Sequence, residues 1–411
     1  MINRIHQWGR ALWEGRVKAP RLPNRKKCCG CGACRASCPK GAIAMLPDEE
    51  GFLQPVIDAA KCIGCGKCEK TCPISVRRKK GVPLAVYAAN AKDEELRRGS
   101  SSGGAFSVLA RDVLSRGGVV YGAGFDPQTW RVVHIEAEDV ETLDLVRGSK
   151  YVQSDVGLTF RQVRQRLEEG REVLYSGCPC QIAALKQFLG KSYPNLLTVD
   201  LICHGVPSPK VWDEYLKKRK AAAGSDILRI YSRRFCSWRA FSIAIDFEEA
   251  VNSSYCQDRW NDPYMISFVS FWSLRTACHH CGFRGFRSGA DITLGDYNNA
   301  AELNEALDDD LGTSAVILLT QHGVKCWKRV CDRFETQESS IGHLMRANPA
   351  IYRNHAVSRL RRPFYGNLGN RDFDELVRWL QGRRQGSLTM HLLWWLKRRI
   401  VNRERNRIHW W

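Results

Sequence analysis

Two stretches of this chain carry one cysteine pattern: Cys28-x2-Cys31-x2-Cys34-x3-Cys38-Pro39 and Cys62-x2-Cys65-x2-Cys68-x3-Cys72-Pro73. Three thiols this close in sequence wrap one face of an iron–sulfur cubane, and Gly30, Gly32, Gly64 and Gly66 supply tight turns that bring backbone amides up to the sulfides. The fourth cysteine lies too far along to close the same cluster and crosses to the other one. The pattern therefore predicts two 4Fe-4S clusters, one on Cys28, Cys31, Cys34 and Cys72 and one on Cys62, Cys65, Cys68 and Cys38. A tetrahedral zinc site would use pairs of Cys-x2-Cys, not triplets closed by Cys-Pro. Cys29, beside the first ligand, reads as a spectator, with a register shift onto it as the alternative.

Eighteen cysteines in 411 residues, behind an opening stretch (1–27) with no continuous apolar run, predict a reducing, cytoplasmic setting. There, thiolates bind metal or do redox chemistry in preference to pairing as disulfides. No apolar run approaches the roughly 20 residues that a membrane-spanning helix needs. Both tails are basic and contain tryptophans: Trp8 and Trp13 in the first, Trp394, Trp395, Trp410 and Trp411 in the second. Such tails would lie on an anionic surface, which gives a peripheral position at the inner face of the membrane as one expectation. A C-terminal helix packed on the protein with a solvated basic face is the other. The net charge of +20 raises nucleic acid as a partner, but no recognised nucleic-acid motif accompanies it and none is expected.

Composition shifts divide the chain into a basic amphipathic segment (1–24), a ferredoxin-type two-cluster module of α+β class (25–80), an α/β domain with a mixed sheet (81–360), and a basic Trp-rich tail (361–411). In the α/β part, strands are predicted at 84–89, 119–123, 172–175 and 196–202, and helices at 105–116, 181–189 and 210–218. Strand, small-residue loop, helix is the order that puts ligands at strand ends and helix N-termini. Two of these loops carry Cys178, Cys180 and Cys203, and Cys278 and Cys281 follow as a tight pair. Spacing alone is equally consistent with a third cluster, a zinc site, or unconnected structural cysteines. The loop at 100–104, Ser-Ser-Ser-Gly-Gly, would expose backbone N–H groups to an anion at a helix N-terminus. A plain serine cap on a flexible turn is the simpler reading of the loop by itself.

Several segments, in the same order, resemble the beta subunit of coenzyme F420-reducing hydrogenase. They are Ser100-Ser101-Ser102-Gly103-Gly104-Ala105, Gly148-Ser149-Lys150-Tyr151-Val152-Gln153-Ser154, Cys178-Pro179-Cys180-Gln181, Asp200-Leu201-Ile202-Cys203-His204-Gly205, and the stretch from Cys278 through Ala290-Asp291-Ile292-Thr293-Leu294-Gly295-Asp296. The likeness runs from about residue 25 to about residue 346, and the family is similar in turn to deazaflavin dehydrogenases and 7-hydroxymethyl chlorophyll a reductase. It implies a third 4Fe-4S cluster on Cys180, Cys203, Cys278 and Cys281, with Cys178 as a neighbour at a position where family members commonly lack cysteine. It also implies FAD, with Ser101, Ser102, Gly103 and Gly104 at the pyrophosphate and Lys150, Tyr151, Gln153 and Ser154 around the flavin. His204 would relay a proton during hydride chemistry, or cap its turn. Asp296 would orient flavin or substrate, or begin a turn.

The expected activity is that of an FAD-dependent iron–sulfur oxidoreductase. A small-molecule hydride donor or acceptor, the deazaflavin coenzyme or another reducible organic molecule, would exchange electrons with a redox protein partner or ferredoxin. The alternative is a wiring subunit that passes electrons between partners without catalysis of its own.

Overall fold

The computed structural model describes residues 20–234, 238–248 and 254–384. Each cysteine triplet turns through two glycines at positive φ, Gly30 with Gly32 and Gly64 with Gly66, into a five-residue helix, Ala33–Ser37 and Lys67–Thr71. Both helices stop where Cys38 and Cys72 become extended, because the proline that follows each disfavours helical backbone at the residue before it. An antiparallel hairpin, Ile43–Pro47 with Leu53–Ile57, joins the two halves. The module's own core is small, with Cys34, Ile43, Met45 and Cys68 at its centre, so it gains much of its burial by docking.

Docking is visible in three contacts. Cys31, Ala33 and Ala36 share one apolar cluster with Tyr121, Phe160, Tyr175 and Phe188 of the larger domain. A Cβ on Gly30 (φ +68°) would stand 2.6 Å from Gln153 Nε2 and 2.7 Å from an Arg275 nitrogen, and one on Gly51 (φ +86°) would collide with Lys210. Arg275, 1% exposed, donates to the carbonyls of Cys28 (2.7 Å) and Leu53 (3.0 Å) and to Gln153 Oε1 (2.9 Å).

The larger domain is built on an eight-stranded mixed sheet, in the order Phe334–Ser339, Ala85–Ala91, Ser314–Leu318, Ile292–Asp296, Leu196–Leu201, Val173–Ser176, Val119–Phe125, Val132–Ala137. The four strands from Ile292–Asp296 to Val119–Phe125 run parallel to one another, and antiparallel strands flank them on both sides. Alternate side chains feed two layers. Leu174 packs with Val108, Leu109 and Trp327 on one face, while Val173 and Tyr175 pack with Phe160, Val163 and Leu185 on the other. Helix Pro179–Leu189 begins with its proline in the first turn, where a missing N–H costs nothing.

A third core lies beside this sandwich. The antiparallel sheet Ile227–Arg234, Ser242–Phe247, Ser254–Asp258 packs there with helices Pro209–Ala223 and Pro263–Val269. Residues 361–384 are built into the same core, which corrects the expectation that the tail begins at 361. Phe364, Phe373, Leu376, Val377 and Leu380 are buried, because apolar residues recur at helical spacing among the arginines. The rest of that tail, the basic segment before residue 20 and Cys236 lie outside the described residues, and with them the tryptophans expected at a membrane surface. Among the described residues, no helix is long and apolar enough to cross a membrane.

Candidate functional site

Cys38, Cys62, Cys65 and Cys68 line one small cavity together with Ile63 and Lys67. Cys72 faces the first triplet, close enough to Cys28 and Cys34 for its charge to oppose their ionisation. Burial is the larger cause there and pushes the Cys34 thiol up to about 12. Backbone amides point at two of these sulfurs, Gly30 N–H at Cys28 Sγ (3.4 Å) and Ala42 N–H at Cys38 Sγ (3.2 Å). The second triplet meets solvent through Cys65, with Ile63 54% exposed beside it, while Cys31 and Cys34 are buried.

The second set of cysteines converges because of the sheet. Strands Val173–Ser176 and Leu196–Leu201 are parallel neighbours, so the turns beyond their C-terminal ends, carrying Cys178, Cys180 and Cys203, emerge side by side. A bridge between Pro207 and Leu274 lays the segment of Cys278 and Cys281 against them. These five cysteines and Cys29 line one cavity of about 950 Å³, with Asp200 in its wall and Lys27, Arg78, Lys80 and Arg284 among its basic residues. Cys29, beside Cys28 in sequence, thus shares a cavity with the second set of cysteines.

Among the described residues, no three Cys, His, Asp or Glu side chains close in on a point as one metal ion would require. The thiols instead share the lining of one cavity. The influence of the nearby Cys178 thiol, against the cost of burial and with help from the Gly205 N–H (3.4 Å), holds Cys203 down at about 7. Burial pushes Cys278 up to about 12. Asp200 is raised to about 7 by burial, opposed by the hydroxyls of Ser288 and Thr293.

His134 fixes the strand end that precedes Cys178. Its Nε2–H donates to the Ser176 carbonyl (3.1 Å) and its ring stacks on Tyr175 at 5.2 Å. Burial lowers it from 6.5 to about 4. As pH falls through 6.5 toward 4, the unfolded chain therefore takes up this proton and the folded one does not, so stability drops, by about 3 kcal/mol in total. Substitution His134→Gln keeps a donor for Ser176 and should flatten this part of the acid limb in denaturant titrations run between pH 7 and pH 4. An unchanged limb would show that His134 is not the group responsible.

The residues expected around FAD separate into two groups. Ser101 Oγ accepts from Ser149 N–H (2.6 Å) and Ser102 Oγ donates to the Thr313 carbonyl (2.8 Å). A Cβ on Gly103 would collide with the Ala89 carbonyl, and Gly104 opens helix Ala105–Leu114 at φ +86° with no side-chain cap. Lys150 Nζ donates to the carbonyls of Arg147 (2.6 Å) and Leu145 (3.0 Å), and burial with the Arg147 charge brings it down to about 7. Tyr151 packs on Phe241 and Phe268, at 5.9 and 5.4 Å between ring centroids.

Gln153 and Ser154 face the cysteines instead. Gln153 Nε2 donates to the Cys29 carbonyl (3.1 Å), and Ser154 Oγ accepts from Gln181 (2.9 Å), whose Oε1 accepts the Cys178 N–H (2.8 Å). His204 is exposed and stacks on His355 at 5.8 Å, outside the thiol cavity that its neighbours Cys203 and Gly205 line.

Sequence reasoning missed three side chains near Tyr151. Arg233 and Arg259 lie over the Phe241 ring at 4.3 and 5.4 Å from its centroid, and Arg233 is 5.6 Å from the Trp238 ring. Asp296 pairs with Arg233 at 3.1 Å. Arg233 Nε, Arg259 Nε and Trp238 Nε1 are buried and have no hydrogen-bond partner among the described residues. No motif marks them, because Arg233 comes from the small antiparallel sheet, Trp238 from the segment between its strands Ile227–Arg234 and Ser242–Phe247, and Arg259 from just beyond its strand Ser254–Asp258.

Residues 86–158 match the model described as coenzyme F420 hydrogenase/dehydrogenase, beta subunit N-term, and residues 170–341 match the one for the C terminus of that beta subunit. Models of a 4Fe-4S dicluster domain match residues 27–76 and 54–105. Among solved structures, a chain of the F420-reducing NiFe hydrogenase complex from Methanosarcina barkeri is 18% identical, with a TM-score of 0.45, over 66% of this chain and 90% of that one. No curated protein matches. The chain belongs to the coenzyme F420 hydrogenase/dehydrogenase beta subunit family and carries a 4Fe-4S dicluster domain ahead of the family's N- and C-terminal regions.

Proposed function

We propose that this chain is an iron–sulfur flavoprotein oxidoreductase that couples single electrons at its dicluster module to hydride chemistry in its α/β domain. One observation carries this reading. Cys29, the sequence neighbour of Cys28 in the first triplet, lines the same cavity as Cys178, Cys180, Cys203, Cys278 and Cys281, so the module and the second set of thiols meet at one site. Cys28, Cys31, Cys34 and Cys72 would hold one cluster, Cys62, Cys65, Cys68 and Cys38 a second, and Cys180, Cys203, Cys278 and Cys281 a third, each supplying one-electron storage. A redox protein or ferredoxin would dock where Cys65 and Ile63 meet solvent, with Lys40 and Lys67 available to steer an acidic surface.

FAD would be held by Ser101, Ser102, Gly103 and Gly104 with Lys150 and Tyr151, and would supply the exchange between a hydride and single electrons. The orphaned donors of Arg233, Arg259 and Trp238 favour it, since buried N–H groups are costly unless a ring rich in acceptors satisfies them. Trp238 packs on Gly312, next to the Thr313 that receives Ser102, so the loop and the aromatic cluster adjoin. Gln153 and Ser154 brace the cysteine loops in this reading, and do not contact flavin. His204, exposed after Cys203, is the residue we assign to exchange a proton with solvent. The substrate is a small-molecule hydride donor or acceptor, the deazaflavin coenzyme or another reducible organic molecule.

The test is anaerobic purification with iron, sulfide and flavin measured on one sample. About twelve iron atoms and one FAD per chain are expected. About eight iron atoms and no flavin, after reconstitution with FAD, would replace the enzyme by a wiring subunit that only passes electrons between partners.

A further inference from the structure

We infer that Arg97 is a positioning residue for the cofactor: its guanidinium fixes the segment 308–313, which holds the Ser102 loop on one side and Trp238 on the other, so flavin affinity depends on it. The inference rests on the FAD site proposed above. Arg97 lies in the short helix Glu94–Arg98, directly before the loop at 100–104, and is 6% exposed. Its guanidinium reaches across to a distant part of the chain. Nη1 and Nη2 donate to the two carboxylate oxygens of Asp309 (2.6 Å each), while Nε and Nη2 donate to the Gly312 carbonyl (3.2 and 2.8 Å). A planar fork that meets a carboxylate and a carbonyl at once sets both position and orientation, which an ammonium does not reproduce.

The segment needs such support. It joins Glu305–Leu307 to strand Ser314–Leu318 without helix or strand of its own, and Asp310 stands at φ +62°, a conformation that a non-glycine residue keeps only where its surroundings hold it. On one side, the Thr313 carbonyl accepts from Ser102 Oγ (2.8 Å), and a Cβ on Gly103 would stand 2.6 Å from the Ser314 nitrogen. On the other, the Asp310 carbonyl accepts the Trp238 N–H (3.0 Å), and a Cβ on Gly312 would meet the Trp238 ring at Nε1 within 2.5 Å. Both halves of the site therefore lean on one stretch of chain, and Arg97 is tied to that stretch at two points. Were the segment in place only about a tenth of the time, FAD would bind about tenfold more weakly.

The experiment uses the full chain, anaerobically purified, as wild type and as Arg97→Met, Arg97→Lys, Gly312→Ala and Arg98→Met. Iron is counted, and FAD is titrated into flavin-depleted protein, with flavin fluorescence giving the dissociation constant and visible circular dichroism the setting of the bound ring. Arg97→Met is expected to keep its iron, to bind FAD about tenfold more weakly and to show altered flavin dichroism. Arg97→Lys, which keeps the charge beside Asp309 without the fork, should fall between it and the wild type. Gly312→Ala leaves the Arg97 bonds and displaces Trp238, so its flavin dichroism should change as well. Arg98→Met, on the same helix but paired with the exposed Glu94, should match the wild type. Wild-type affinity and dichroism in Arg97→Met would overturn the inference and leave the FAD site in place, as would iron lost in step with flavin, the mark of a general loosening. If Arg97→Met does not fold, wild-type affinity in Arg97→Lys overturns it equally. A wild type that binds no FAD would remove the site itself, and the inference with it.

Discussion

Replacing Arg275 by methionine is expected to destabilise the protein by about 3–5 kcal/mol and to loosen the dicluster module from the α/β domain. The guanidinium is 1% exposed and spans three acceptors from separate parts of the chain: the Cys28 carbonyl, the Leu53 carbonyl and Gln153 Oε1. Methionine fills a similar volume but leaves all three acceptors buried without a donor, at roughly 1–3 kcal/mol each, less than additively. Lysine keeps the charge, yet an ammonium on a flexible stem cannot reproduce a planar fork, so Arg275→Lys should fall between the two. Since Cys28 bears one of the acceptors, the methionine variant should also lose iron from the first triplet faster than from the second. Denaturant titration with iron release followed in parallel decides it. Equal stability and equal iron retention in the methionine variant would show that the apolar contacts of Ala33 and Ala36 dock the module unaided.

The same arginine shows where sequence reading ends. The eight cysteines of the module were legible because ligands on one face of a cubane come from consecutive turns, so spacing is geometry. The cavity thiols come from three loops, and their meeting depends on Leu196–Leu201 lying parallel to Val173–Ser176, which no local pattern encodes. Resemblance to a family picked Cys180, Cys203, Cys278 and Cys281 where spacing left zinc and structural cysteines equally open. Cys29 stands next to a ligand in sequence, where spacing leaves it a spectator or a shifted ligand. Only the fold reveals that Cys29 lines the cavity of the second set. Composition misled at 361–384 for a related reason: the arginines suggested a tail, while the spacing of Phe373, Leu376, Val377 and Leu380 already described a helix with a buried face. Gln153 and Ser154 sit in a family motif, and only the fold reveals that their hydrogen bonds go to the cysteine loops.

Substitution Cys38→Ser is expected to remove the cluster of the second triplet and to spare that of the first, although Cys38 belongs to the first motif. Its sulfur lines the cavity of Cys62, Cys65 and Cys68 and accepts the Ala42 N–H. Cys72, from the second motif, stands by Cys28 and Cys34. A serine hydroxyl is a poor substitute for thiolate on iron, so each variant should lose about four iron atoms, but from opposite triplets. The consequences differ as well. The cluster of Cys62, Cys65 and Cys68 borders solvent, so its loss should close the docking port while the module stays packed. Cys31, which would share the first cluster with Cys72, is buried in the core common to both domains, so Cys72→Ser should weaken the fold. Iron counts with electron paramagnetic resonance of the surviving centre, compared with that of Cys65→Ser, distinguish the cases. Matching spectra for Cys38→Ser and Cys65→Ser are expected; a Cys38→Ser protein that matches Cys72→Ser in stability and differs from Cys65→Ser in spectrum would mean that each triplet closes its own cluster.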